Sequence, residues 1–577
     1  QFDFYRDMPG GLPGIRRVVR CLHRRGVRAF LDYNPWDTGT RREQVSDAEA
    51  LGNLIRATEA DGVFLDTLPH GAAGLRERLE AVRHGVALES ELALPLERVQ
   101  DHPLSWAQWF GDSHAPGVLR NKWFERRHMQ HQIRRWDRDH SAELHQAWMN
   151  GSGVLVWENV FGSWVGWSAR DRSILRAMLP IQRRFRELFA GEGWTPLVPT
   201  EREGVYASLW EGGGRRLFTL VNRGEHPLEG PLLRVEHRPG ETWHDLVAGR
   251  RAEWAESGGE ALLRGRIGPR GIGAFLAAAP SALGPRFDDF LKSQAALAAR
   301  AETDTRFPAR TAVPARPAAA PKNGRGAVPP GMVPIPGGEV LLRTEFRVRE
   351  CGFYGSQHDL FTAAGGPALH STIVFERRAA LSPYAMDVTP VTNRQFARFL
   401  RESGWRPRHA HRFLQHWVNG APPPGLEEHP VVWVDLDDAR AYARWAGKRL
   451  PTEEEWQHAA AGPQKMRYPW GPEMLPGRCN GGETGTTTPV DAFPAGRSPF
   501  GCLDMCGNVW EWTESEREDG RTRFAILKGG SHYTARGSDW YFDGGPRPNQ
   551  HAAKVLLLWP GLDRYATVGF RCAADLP

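Results

Sequence analysis

From about Ala298 to Pro330 the chain turns into Ala and Pro with scattered Arg, as in Pro314-Ala315-Arg316-Pro317-Ala318-Ala319-Ala320-Pro321. Such a stretch cannot bury a core and favours an extended, semi-rigid spacer, so separate modules must fold on either side of it. A length of 577 residues agrees with three or four domains. Cores of that size need no disulfide or metal staple, and the six cysteines form no CxxC pair. No apolar run reaches ~18–20 residues, so no membrane-spanning segment is expected. The chain holds 74 basic against 68 acidic residues, and only seven of the basic ones are Lys. They are interleaved, as in Arg401-Glu402, which reads as solvated faces and makes nucleic acid an unexpected partner.

The first two hundred residues alternate between two periods. Ile15, Val18, Val19 and Leu22 recur at helical spacing from Gly14 to Gly26, and the β-prone run Val27 to Asp32 follows. A helix over Asp47–Ala60 precedes Gly62-Val63-Phe64-Leu65-Asp66, and a helix over Ala73–Arg83 precedes Gly85 to Glu91. Gly153 to Glu158 is the expected closing strand. Short apolar strands alternating with amphipathic helices mean a parallel sheet, here a (β/α) barrel over residues 1–198. The chain opens at Gln1 rather than Met, inside what reads as a folded domain, so the barrel is expected to be truncated at its amino end. Leu119 to Asn150, with interleaved Arg and aromatics, reads as one amphipathic helix packed on the barrel rather than a strand-binding surface for nucleic acid.

Each strand ends in an acid: Asp32, Asp66, Glu89 with Glu91, and Glu158. Carboxyl ends of barrel strands open onto one face, where catalytic residues gather. Two carboxylates there are what glycoside hydrolysis requires, one as acid and one as nucleophile or base. The alternative is that each acid caps the following helix. Asp66, Glu91 and Glu158 are the candidate catalytic residues. Among the 23 tryptophans, Trp36, Trp157 and Trp164 lie beside these acids. With Asp37 they are the expected contacts to a carbohydrate substrate, whose apolar faces stack on rings.

Phe2 to Asp37, through its Leu22-His23-Arg24-Arg25-Gly26-Val27 step, and the strand Asp61 to Asp66 resemble α-galactosidase-like retaining glycoside hydrolases. The resemblance implies Asp66 as nucleophile, with the acid on a later strand, at Glu91 or Glu158. Residues 199–280 then switch to period two, as in Val205-Tyr206-Ala207-Ser208-Leu209-Trp210, with Gly-rich turns between runs. That pattern predicts an antiparallel β-sandwich. A helix and the spacer fill residues 281–330.

The third module, residues 331–577, carries a series of motifs. Gly331-Met332-Val333-Pro334-Ile335-Pro336-Gly337-Gly338 opens it, and Met386-Asp387-Val388-Thr389-Pro390-Val391-Thr392-Asn393 leads into a helix. Pro451-Thr452-Glu453-Glu454-Glu455 forms a capping box. Gly507-Asn508-Val509-Trp510-Glu511-Trp512, Lys528-Gly529-Gly530-Ser531 and Gly569-Phe570-Arg571-Cys572 close it. In this order they resemble the formylglycine-generating enzyme (sulfatase-modifying factor) family, which implies a C-type-lectin-like α+β domain. Active members hold copper on two cysteines after the Gly-Gly-Ser motif; here those positions are Thr534 and Asp539. A hydroxyl and a carboxylate do not bind Cu(I) as thiolates do, so no copper is expected.

Calcium is implied instead, as a structural ion on Asp504, Gly507, Val509 and Glu511, two carboxylates and two carbonyls. His409, His411 and His416 are expected at the surface, and Cys479, Cys502 and Cys506 as separate buried thiols. The expected whole is a multidomain, carbohydrate-active protein, a glycoside hydrolase fused to a cysteine-less module that binds or scaffolds. A metal-dependent oxidase and a non-catalytic carbohydrate-binding protein are the alternatives.

Overall fold

The computed structural model describes residues 2–36, 43–108, 111–134, 137–160, 163–164, 166–307, 313–314, 328–347, 370–518, 520, 523–535, 541–557 and 563–576. They divide into two compact units, one formed by Gln1–Val160 with Trp164–Ala309 and the other by Phe161–Ser163 with Arg310–Pro577.

In the first unit, five strands, β1 (Phe30–Tyr33), β2 (Gly62–Leu65), β3 (Ala87–Ser90), β4 (Leu104–Ala107) and β5 (Met129–Gln132), pair in chain order and all in parallel. One face of this barrel-like sheet is closed by helices. Leu31, Val63, Leu65 and Leu88 meet Leu51, Leu54, Ile55 and Leu79 in a single core. The helix Asp47–Thr58 starts where the Ser46 side chain accepts from the Glu49 N–H, satisfying one of the orphan donors of the first turn. Gly62 is required at the start of β2, because a Cβ there would lie 2.7 Å from the Ala87 carbonyl oxygen and 2.8 Å from the Phe30 ring. The alternation of β-strands puts Asp32, Phe64 and Glu89, which are in register, on the opposite face.

Two expectations are corrected in this unit. Leu119 to Asn150 is not one helix but a short helix Arg120–Phe124, strand β5 and a helix Ser141–Met149. The run Met129 to Gln132 pairs with β4, and that ladder outweighs local helical periodicity. The expected closing strand Gly153 to Glu158 contributes one parallel bridge, Gln132 to Val154.

Two antiparallel sheets follow. Six strands run in the order Arg250–Arg251, Thr242–Asp245, Ile272–Ala278, Arg215–Asn222, Val205–Gly212, Gly193–Val198. Three more pair as Leu228–Glu236, Glu260–Ile267, Glu253–Ser257. Phe218, Leu220 and Phe275 of the larger sheet share a core with Leu232, Leu233 and Leu263 of the smaller. Trp210, Leu217 and Leu276 instead join Trp148, Met178 and Phe189 in a second core. The helix Phe287–Ala298 adds Phe287 and Leu291 to that core.

The second unit is α+β. Trp510–Glu518, Arg523–Lys528 and Ala552–Leu556 form an antiparallel sheet, with Val568–Phe570 parallel to its first strand. Val313–Pro314, inside the Pro-rich spacer, pairs with Arg517 and Glu518 of this sheet. Helices Asn393–Ser403, Leu436–Trp445 and Glu453–Ala461 each begin with a two-way capping box, and the last is the Thr452–Glu455 box expected from sequence. Phe396, Phe399, Tyr442, Trp510, Trp512 and Phe570 make its aromatic core. Among the described residues no helix is long and apolar enough to cross a membrane.

Candidate functional site

The face of the parallel sheet turned away from the helices carries the acids. Stepping two residues beyond the register trio Asp32, Phe64 and Glu89 reaches Asn34, Asp66 and Glu91 at the carboxyl ends of β1, β2 and β3. Asn34 Nδ2 donates to Asp66 Oδ2 at 2.8 Å. Glu91 accepts on both oxygens, from the Thr67 N–H at 2.6 Å and from Gln108 Nε2 at 3.0 Å. Glu91 is near enough to Asp66 to act on it electrostatically. Thr67 has φ +61°, a left-handed conformation rare for a β-branched residue, and in it the N–H meets Glu91.

Burial in a half-buried corner beside Glu91 raises the proton affinity of Asp32 and Asp66. Burial first, then Glu91 and Asp32, push Asp66 up to about 7 against the opposing hydrogen bond from Asn34. Burial and the Glu91 charge push Asp32 up to about 6. One resident proton near neutrality is therefore built into the cluster. Trp36 reaches it through Nε1, which donates to Thr67 Oγ1 at 3.1 Å. Phe64 and Trp106 stack at 4.2 Å, with Trp157 edge-on to Trp106 at 5.8 Å, forming an aromatic wall on the same face. Below it, His131 Nδ1 pairs with Glu89 Oε1, and a cavity of about 720 Å³ opens between Phe30, Ala87, Glu89, Leu104 and His131.

Asp66, Glu91 and Trp36 thus come together, and Trp157 joins the wall. Glu158 does not take part: it has no hydrogen bond or ion pair to any described residue and ends the segment that fails to form a strand. Asp37 and the side chain of Trp164 lie outside the described residues. Sequence reasoning missed Asn34, Thr67, Trp106 and Gln108. Asn34 was reachable as the same-face neighbour of Asp32, and Gln108 as that of Trp106; Thr67 matters only through its backbone.

In the second unit the Asp504–Glu511 segment buries two carboxylates. Arg571 binds both Glu511 oxygens at 2.7 Å, and its Nη2 donates to the carbonyls of Leu503 and Asp504. Trp456 Nε1 also donates to Glu511. Asp504 accepts from Asn508 Nδ2 at 2.7 Å, and burial with the Glu511 charge pushes it up to about 8. Arg571 thus pairs with one of two buried carboxylates and only partly offsets the other, a charge pattern that fits a bound cation. Gly507 has φ +75°, and a Cβ there would lie 2.3 Å from the Asn480 oxygen.

Thr534 is exposed, and Asp539 lies outside the described residues. Among the described residues no three His, Cys, Asp or Glu side chains are grouped to hold a metal. His416 is not a surface histidine: it is half-buried against Asn393 Oδ1, and burial pushes it down to about 4. The carbonyls of His409 and His411 both receive Arg564.

Residues 317–576 match the family model described as sulfatase-modifying factor enzyme 1-like domain. An inactive C-alpha-formylglycine-generating enzyme 2 of Bos taurus is 34% identical over 249 residues, 34% of this chain and 79% of the relative. Formylglycine-generating enzymes of Thermomonospora curvata and Streptomyces coelicolor are 36% and 34% identical, over 33% and 46% of this chain and 73% and 95% of theirs. Among solved structures, an Anoxybacillus α-amylase is similar at 11% identity and a TM-score of 0.34, covering 47% of this chain and 80% of that one. The barrel-like sheet rests on its own five parallel strands.

Proposed function

We propose that this chain, which belongs to the formylglycine-generating enzyme family through residues 317–576, acts on carbohydrate through its other unit. The observation that carries the reading is the Asp32–Asp66–Glu91 cluster, with one proton held near neutrality beside an aromatic wall. The reaction is hydrolysis of a glycosidic bond. A glycosidase needs one carboxyl group that keeps its proton and one that is ionised. Asp66, raised to about 7, suits the donor. Glu91, with both oxygens held by N–H donors, suits the nucleophile or base. These roles are the reverse of those that the resemblance to α-galactosidases implies. Trp36, Trp106 and Trp157 supply stacking surface.

The family module then serves binding or scaffolding. Thr534 and Asp539 replace the copper-binding cysteines, and the Bos taurus relative is itself named inactive. Its loop would hold calcium through Asp504 with the carbonyls of Gly507 and Val509, while Glu511 stays on Arg571. A C-type-lectin-like fold for this module, a β-sandwich over residues 199–280 and a helix with an Ala/Pro-rich linker over 281–330 belong to the same reading. Release of nitrophenol from a panel of aryl α- and β-glycosides by the full chain tests it. Turnover that Asp66→Asn lowers about 10²–10⁴-fold supports the assignment, and turnover unchanged in that variant removes it.

A further inference from the structure

Beside the Gly507 loop, two thiols distant in sequence are brought together. The Asn508 N–H donates to the Asn480 oxygen at 3.0 Å, joining the segment after Cys479 to the segment after Cys506. The Cys479 sulfur lies 3.4 Å from the point where a Cβ on Gly507 would stand. The Cys506 thiol donates to the Arg547 carbonyl at 3.4 Å, and Cys479 is near enough to act on it electrostatically. Cys479 is 6% exposed and Cys506 1%. The other buried cysteines have different company: Cys502 lies with Ser498 and Cys572 with Asp387. All five described cysteines are free thiols here. The expectation of separate buried thiols is corrected for these two.

We propose that Cys479 and Cys506 are a site of reversible disulfide formation that ties the Asn480 segment to the Gly507 loop. The oxidant is a small-molecule disulfide. The Cys479 thiolate, the more exposed of the two, attacks one of its sulfurs, breaking that S–S bond and expelling one small thiolate. The Cys506 thiolate then attacks the Cys479 sulfur of the mixed disulfide and expels the second. Two protein thiols lose two electrons and two protons, and the oxidant leaves as two thiols. Because both sulfurs are buried, exchange in the folded protein proceeds through local opening of the loop and is slow. The bond closes a loop of roughly 30 residues in the unfolded chain and stabilises the module accordingly.

The full chain is incubated with oxidised glutathione, blocked with iodoacetamide, digested and mapped by mass spectrometry, and its thermal unfolding is followed before and after dithiothreitol. The expected result is a Cys479–Cys506 linked peptide that dithiothreitol removes. An oxidant-dependent rise of the midpoint by about 6–12 °C should accompany it. Cys479→Ala and Cys506→Ala should each keep the reduced midpoint and lose the rise. The proposal is overturned if both thiols remain alkylated after refolding in the same oxidant, if either pairs with Cys502 or Cys572, or if the rise survives in the variants. The peptide map of the unmutated chain decides the matter even where a variant fails to fold.

Discussion

Asp66 concentrates the chemistry because of where it ends: four buried or half-buried residues of β2 deliver its carboxyl group to Asn34, Glu91 and Asp32. Its raised proton affinity has a consequence for stability. A carboxyl whose folded pKa, about 7, exceeds its unfolded value of about 3.8 favours folding while protonated, so its contribution is lost as pH rises through 7. Asp66→Asn should therefore be more stable than the parent at pH 8, by ~1–3 kcal/mol in urea unfolding after allowance for partial exposure, and gain little at pH 4. Equal gains at both values would show that the charge is not what strains the site. Hydrolysis by the parent should also decline above pH 7, when the resident proton leaves. Glu511 is the opposite case, a buried acid fully paired with Arg571. Glu511→Gln leaves that guanidinium unbalanced and should cost about 3–5 kcal/mol in urea unfolding.

Among elements, the helix starts were the most legible. Thr452 and Glu455 stand at the spacing a capping box requires, and the box forms with the Thr452 N–H donating to Glu455 at 2.8 Å. Thr452→Ala should lower stability by ~1 kcal/mol by chemical denaturation. The strand-ending acids were legible for a similar local reason, since an apolar run stops abruptly at a carboxylate. The stretch from Leu119 to Asn150 was misread because β5 is polar, Met-Gln-His-Gln, and becomes a strand only by pairing with β4. The Gly507 loop reads clearly as a motif, yet its charge balance depends on Arg571, 60 residues beyond Glu511. Calcium added to chelator-treated protein should raise the unfolding midpoint by several degrees, and Asp504→Asn should abolish that rise. A midpoint indifferent to calcium in the parent would leave the loop to its Arg–Glu pair.

For the molecule as a whole, the two functions assigned to it belong to units with separate cores. Asp66→Asn should thus remove hydrolysis without altering the calcium-dependent midpoint, because groups with no shared partner act additively. The modular plan, the family of residues 317–576 and the loss of the copper-binding cysteines follow from sequence alone. Each depends on residue types at short spacing, which local propensity and composition report directly. What gathers at the site was decided by the tertiary structure. Parallel pairing put Asn34, Asp66, Glu91 and Gln108 into one corner and denied Glu158 a strand, while loop packing in the other unit set Cys479 beside Cys506. Those contacts join residues far apart in the chain, and register and burial, which create them, are properties of the folded sheet rather than of any local run of residues.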